Sequence, residues 1–456
     1  PKTTYWILPD RTWKNKKQYY TRPATRPPAM ISYKHFLRVA IVAIIPFFCN
    51  CQNEKDATPT TPQKGKIVLH YMAVQNSLGA EDTDGWSYAN DDLKEIQEGC
   101  QYMSPGDTLV VLVDDKDTPR IYAYYRNCPS PLTLYTFSTD INTSNPQSLE
   151  FFLTWARQNF SNEIYGLGIG THANGWIPPT NTNYYSASQF SLGIDTGIGG
   201  NMYNDRDSTG HTGAQMDISE FAQAIIRSGV HPHYIFFDAC LMQNIETAYE
   251  LRHTTDYIVA SPMSISAYGA NYTHLLKKGL FSDQVTDIAQ TYFEDVNDPK
   301  QQIKYGDYGL IISVINTAEL ENLAACTKEI VVPHFMNQQT CSLNNVLHYY
   351  YYNPSYYYTI PHYFDALNAM QAILLPEELL RWKKQLQRTV CYKQANNRFL
   401  LGPYSNDYEE LDTASCGGAS MFIPQTAYTQ HSAYNFNQQF HQTSWYKAAG
   451  WDETGW

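Results

Sequence analysis

Ile164-Tyr-Gly-Leu-Gly-Ile-Gly-Thr-His172-Ala-Asn-Gly-Trp176 and His233-Tyr-Ile-Phe-Phe-Asp-Ala-Cys240-Leu-Met242 are the two stretches that decide how this chain folds. Each opens on a short, continuous apolar run, the pattern of a strand buried on both faces of a parallel sheet. Each run then delivers a reactive side chain, His172 in the first and Cys240 in the second. Met216-Asp-Ile-Ser-Glu-Phe-Ala-Gln-Ala-Ile-Ile between them reads as an amphipathic helix, preceded by a long polar loop at 177–215. Strand, helix, strand implies a parallel pair joined by a right-handed crossover. His172 and Cys240 then leave the sheet at its carboxyl edge, where open α/β sheets bind ligands.

The same alternation extends outward. Ile67–Ala73 and Asp107–Asp114 read as strands, with a helix between them capped by Asn90 or Asp91 and running through Leu93 and Ile96. Asn145–Ala156 reads as a helix with Leu149, Phe152, Leu153 and Ala156 on one stripe. Tyr257–Ser261 is a fifth strand after a helix over Asn244–Leu251. Gly309–Asn316 and Gly418–Pro424 are further strand candidates, separated by helical text at His362–Leu374 and Pro376–Val390 and a tyrosine-rich loop, Tyr349–Tyr358. No repeat is present.

A His and a Cys at neighbouring strand ends define a chemistry. The imidazole assists thiolate formation and later protonates a leaving amine. The amides of Ala173 and Gly175, beside the His, are candidate donors to a developing oxyanion. His70, His233, His334 and His348 read as structural or merely exposed.

Bulk composition sets limits. With 456 residues, 43% hydrophobic and 17% charged, the chain buries a sizeable core and is not wholly disordered. The first 50 residues hold nine basic residues and one acid; removing them from totals of 32 and 44 leaves 23 basic and 43 acidic. A body that acidic repels nucleic acid and favours cationic partners. Met30 opens a basic stretch ending at Lys34 and Arg38, followed by the apolar run Val39–Phe48 and then Cys49-Asn-Cys51. That run is too short to span a bilayer and has the form of a signal-peptide core. It resembles a lipoprotein signal, with Cys51 as the acylated residue and a bacterial cell envelope as the location, surface-exposed or periplasmic. The expected organisation is an upstream extension (1–29), a signal peptide (30–50), a flexible tether (51–64), a catalytic domain (65–325) and a C-terminal region packed on it (326–456).

Four strings carry a resemblance to a known family: Leu69-His-Tyr-Met-Ala-Val-Gln-Asn-Ser-Leu78, Phe151-Phe-Leu-Thr-Trp155, His172-Ala-Asn-Gly-Trp176 and Asp238-Ala-Cys-Leu-Met242. In that order and context they resemble the clostripain family, caspase-like cysteine peptidases related more distantly to gingipains and caspases. The resemblance implies an α/β fold, with a mostly parallel sheet flanked by helices and a smaller, partly helical C-terminal region. It implies a dyad, with His172 as general acid/base and Cys240 as nucleophile. It places Asp238 in the pocket for the residue before the scissile bond, hence cleavage of protein or peptide substrates after Arg or Lys. Self-activation by a cut between His and Cys points to Arg206, the basic residue of the 177–215 loop. Two departures stand out: Ala173 where the family commonly has Gly, and Gln243 where a small residue is more usual.

No cofactor is required by this chemistry. Calcium, used by some relatives, has candidate ligands in Glu81-Asp-Thr-Asp84 and Asp114-Asp-Lys-Asp117, neither of which follows an EF-hand pattern. No CxxC spacing suggests a zinc site, and Cys326 with Cys341 is the first candidate disulfide. The expected state is a monomer. Two other classes fit parts of the text: a non-catalytic surface lipoprotein that binds protein or peptide, and a glycan-binding or glycan-cleaving lipoprotein, which needs two converging carboxylates that no motif singles out.

Overall fold

Five strands buried along nearly their whole length form the centre of the protein. They are β1 (Ile67–Ala73), β2 (Thr108–Asp114), β5 (Ile164–Gly170), β8 (Tyr234–Asp238) and β9 (Tyr257–Ala260). They pair in parallel in the order β9-β8-β5-β1-β2. The computed structural model describes residues 65–178, 192–350, 361–401, 408–429 and 435–456. The expected signal segment, Cys51, the tether and Tyr351–Tyr358 lie outside the described residues. Among the described residues no helix is long and apolar enough to cross a membrane.

Antiparallel strands extend both flanks. The hairpin strands β3 (Arg120–Tyr125) and β4 (Leu132–Thr136) add beyond β2, while β10 (Ile311–Asn316) and Val390–Ala395 add beyond β9. The resulting nine-stranded sheet contains the mostly parallel core that the apolar runs predict. The β3–β4 hairpin was not anticipated, because its tyrosine-rich text lacks a continuous apolar run. Two short strands, β6 (Leu192–Asp195) and β7 (Ala214–Met216), pair outside this sheet. Within the expected polar loop, residues 192–216 therefore form a strand-bounded excursion.

Helices cover both faces because side chains alternate along each strand. Ile67, Leu69 and Tyr71 of β1 join α2 (Pro146–Asn159) and α3 (Ile218–Ser228) in one apolar layer. Val68 and Met72 join α1 (Tyr88–Gly99), α5 (Tyr272–Lys278) and α6 (Thr286–Val296) in the other. The α2 stripe is buried at Leu149, Phe152, Leu153 and Ala156 as expected. The α1 start differs: Ser87, not Asn90 or Asp91, is the N-cap, its hydroxyl accepting from the Asn90 amide at 3.1 Å.

The expected division at 325/326 falls inside the helix Leu320–Phe335, and Val390–Ala395 pairs with β10 in the main sheet. The C-terminal residues share the α2/α3-side core with the strands. Cys326 and Cys341 are both free thiols; the close sulfur pair is Cys100 and Cys128, 3.3 Å apart and buried.

Candidate active site

The register of β5 against β8 builds the site. Gly170 faces Asp238 across the ladder, and His172 and Cys240 each stand two residues beyond those partners. Both side chains line one cavity of about 410 Å³ at the carboxyl edge of the sheet. The turn after Cys240 is tight: Leu241 holds a left-handed backbone with φ 60°, and its amide donates to the Met263 carbonyl at 3.0 Å. A non-glycine residue in that region stores strain of roughly 1–3 kcal/mol and persists where its surroundings over-determine it.

Each member of the pair is held by other groups. Ser77, just beyond the end of β1, places its hydroxyl 2.8 Å from His172 Nε2 and donates to Asp205 Oδ2 at 3.2 Å. With its hydrogen directed to the carboxylate, that hydroxyl accepts from a proton on Nε2. The Ser77 amide donates to Asp205 Oδ1 at 2.7 Å, and the imidazole lies 3.9 Å from Asp205. Desolvation lowers the His172 pKa and Asp205 opposes it. Cys240 Sγ accepts from the Ile265 amide at 3.4 Å and faces the Ile265 carbonyl at 3.8 Å. Burial pushes the thiol up to about 11; Asp238 adds to this, while the Ile265 amide opposes it. Among the described residues no hydrogen bond joins His172 to Cys240, though both line the same cavity.

Asp238 also lines the cavity but is only 8% exposed. Its oxygens accept from the Ala270 amide at 3.2 and 3.0 Å and from Tyr272 Oη at 3.0 Å, and Tyr292 adds a further bond. Burial raises its pKa, and these donors hold it down.

Ala173 is buried with an ordinary backbone, so its methyl carries no left-handed penalty. Among the described residues its amide has no acceptor, which leaves it available to a substrate oxygen. Gly175 is placed differently. It has φ 61°, and a Cβ there would lie 2.4 Å from Asn244 Nδ2 and 2.7 Å from the Leu241 carbonyl. Its glycine lets the His loop touch the Cys turn, and it does not line the cavity. Gln243 is fully buried, donating to the Ser313 carbonyl and hydroxyl at 2.8 Å. A long side chain at that position ties the Cys turn to β10.

Arg206 follows Asp205 in the excursion between β6 and β7. Its amide and carbonyl bond to Asn201, and its guanidinium donates to Thr212 Oγ1 at 2.9 Å. Of the acidic runs, Glu81 pairs with Lys116 and Asp115 with Arg120. His70 is buried and neutral, its pKa lowered to about 4 by desolvation. Sequence reasoning missed Ser77, Asp205 and Asp92, an α1 residue that lines the same cavity and, among the described residues, makes no hydrogen bond or ion pair. Ser77 stood in the string carrying the resemblance; Asp205 and Asp92 lie in ordinary loop and helix text that gives no signal of proximity.

A thiol and an imidazole at adjacent carboxyl ends of a parallel sheet, beside an unengaged backbone amide in one cavity, define a cysteine peptidase of the caspase-like α/β class. The chain belongs to the clostripain family, whose model matches residues 71–456, and it is a cysteine endopeptidase. Similar solved structures share the fold. A secreted C11 cysteine protease from Bacteroides thetaiotaomicron, bound to an irreversible peptide inhibitor, is 24% identical with a TM-score of 0.68 and matches 85% of this chain and 99% of its own. An inactive zymogen C11 protease from Parabacteroides distasonis is 22% identical with a TM-score of 0.67, over 86% and 99% of the two chains. No curated protein matches the chain.

Proposed function

We propose that the protein cleaves peptide bonds after Arg or Lys with a His172–Cys240 dyad, needs no cofactor for the chemistry, and is stored as a latent chain. The observation that carries this reading is the register: Gly170 opposite Asp238 sends His172 and Cys240 into the same cavity. The thiol attacks the substrate carbonyl, the Ala173 amide receives the oxyanion, and the protonated imidazole supplies the leaving amine with its proton. Carboxylates in the cavity support a cationic side chain before the scissile bond.

Latency follows from the Ser77–Asp205 contacts on His172. Asp205 stays there through its chain connections, and the bond after Arg206 lies one residue further on. A cut at Arg206 removes the downstream restraint on Asp205 and lets the imidazole turn to Cys240. The Arg206 backbone is hydrogen-bonded in a compact turn, so this cut requires the turn to open first. Attachment through Cys51 to a bacterial cell envelope, a monomeric state and the absence of nucleic-acid partners complete the proposal, on the grounds of the N-terminal text and acidic body.

The test is hydrolysis of peptides carrying Arg, Lys, Asp or Leu before a reporter group, by the full chain and by Cys240→Ala. Cleavage after Arg or Lys, lost in the variant and accompanied by a cut at Arg206, is the expected result. Turnover that survives Cys240→Ala sinks the dyad, and full activity in an intact chain sinks the latch.

A further inference from the structure

Two sulfurs meet where the outer hairpin of the sheet touches α1. Cys100 follows the last residue of α1, and Cys128 lies in the turn between β3 and β4. Both are free thiols, 28 residues apart in the chain and 2% and 3% exposed, with their Sγ atoms 3.3 Å apart. The backbones are in contact as well. The Asn127 amide donates to the Cys100 carbonyl at 3.4 Å, and Gln97 Nε2 donates to the Cys128 carbonyl at 2.8 Å.

Neighbours fix both sides of this contact. At Gly99 a Cβ would lie 2.8 Å from Leu276 Cδ1, so the end of α1 is pressed against α5. On the hairpin side, Asn127 holds a left-handed backbone with φ 56°, and the Cys128 amide donates to the Tyr125 carbonyl at 3.0 Å. Two buried thiols gain little from each other, because S–H is a weak donor and sulfur a weak acceptor. Covalent closure needs the sulfurs to come to about 2.05 Å, only about 1.3 Å closer than they stand.

We infer that Cys100 and Cys128 form a disulfide in the exported protein, clamping the β3–β4 hairpin to α1. This rests on the proposed export, because disulfides persist in oxidising compartments. The oxidant is the disulfide of a thiol–disulfide exchange catalyst: one cysteine thiolate attacks it, and the other then attacks the mixed disulfide. The two thiols give up two protons and two electrons, and the catalyst leaves as a dithiol. Burial, with the neighbouring thiol, pushes Cys100 up to about 11, so exchange is slow in the packed protein and the bond closes as the chain folds. β4 is the outermost strand on this flank, exposed along most of its length and paired with β3. Tyr88 and Asp92 of α1 line the active-site cavity. The bond thus ties an exposed edge of the sheet to a wall of the cavity.

The experiment traps free thiols of the full chain with N-ethylmaleimide in denaturant, separately for the envelope and cytoplasmic fractions, and maps the peptides by mass spectrometry. The expected result is a linked Cys100–Cys128 peptide from envelope protein, with neither residue labelled. Reduction should lower the melting temperature by about 4 °C, the effect of opening a loop of this length in a chain of this size. The double variant Cys100→Ala/Cys128→Ala should show no such response to reductant. Envelope protein with both residues labelled, or with either linked to another cysteine, overturns the inference and leaves the export standing. Chain found only in the cytoplasm sinks the export reading, and refolding the purified chain from urea in an oxidising glutathione buffer then decides the inference. Closure of this pair supports it, and free thiols at 100 and 128 in the refolded protein overturn it.

Discussion

Cys240 shows most directly what one residue's surroundings do. A thiol that titrates near 11 is less than about 0.1% ionised at pH 7.5, so in this arrangement Cys240 is a poor nucleophile. Its alkylation by iodoacetamide should therefore climb about tenfold per pH unit from pH 7 to 10, without levelling off near the ordinary thiol value of about 8.5. On the proposed latch, a cut at Arg206 frees His172 to pair with Cys240, and the rise should then move to lower pH in the cut protein. A plateau by pH 9 in the intact chain would show that the resting thiol is not held as described. At this scale the sequence was informative about identity and silent about state. His172 and Cys240 were legible because each closes an apolar strand. Ser77 and Asp205 were not, since a hydroxyl and a carboxylate that meet an imidazole from 95 residues before and 33 residues after it leave no local pattern.

Strand β5 carries the argument for the elements. Its glycines alternate, and each leaves room for a ring from a neighbouring strand: a Cβ at Gly166 would lie 2.2 Å from Tyr234, and one at Gly168 would lie 2.6 Å from His70 Nδ1. Sequence reading recognises the strand from Ile164, Leu167 and Ile169 on the opposite face but has no means of telling what the glycines face. Gly168→Ala should lower stability by about 1–3 kcal/mol, the usual cost of overpacking a tight core. A melting temperature unchanged from wild type would mean that His70 moves aside freely. The same limit explains why the α1 cap was placed too late. Asn90 and Asp91 are both plausible caps by residue type, and only backbone geometry selects Ser87.

Across the whole molecule, the C-terminal residues hold the loops that carry His172 and Cys240. Tyr363 Oη donates to the Asn174 carbonyl at 2.6 Å, Trp176 packs on Phe422 and Phe440, and the Ser420 amide donates to the Gln243 carbonyl at 3.0 Å. Glu246, fully buried on α4 (Ile245–Leu251), accepts from the Phe422 amide at 2.8 Å and so joins the Cys-bearing side to the 418–424 segment. Burial raises its pKa to about 7, with the Phe422 amide opposing. In the unfolded chain a glutamate titrates near 4.3, so folding takes up a proton between about pH 4 and 7. The stability tied to this carboxyl is full below about pH 4 and is lost as pH rises through 7, by roughly 3 kcal/mol in total. Glu246→Gln should remove that slope, seen as a denaturation midpoint that gains on wild type as pH rises from 4 to 8. Parallel pH profiles for the two proteins would rule it out.

The amino-acid sequence by itself determined the parallel core, the carboxyl-edge position of the reactive pair and the family, because apolar runs, helical stripes and short motifs are local and contiguous. Tertiary structure alone decided which groups hold His172, which carboxylate in the cavity remains free, and that the C-terminal residues belong to the same core as the strands. Those outcomes depend on side chains brought together across tens to hundreds of residues, where packing and desolvation, not spacing along the chain, set the chemistry.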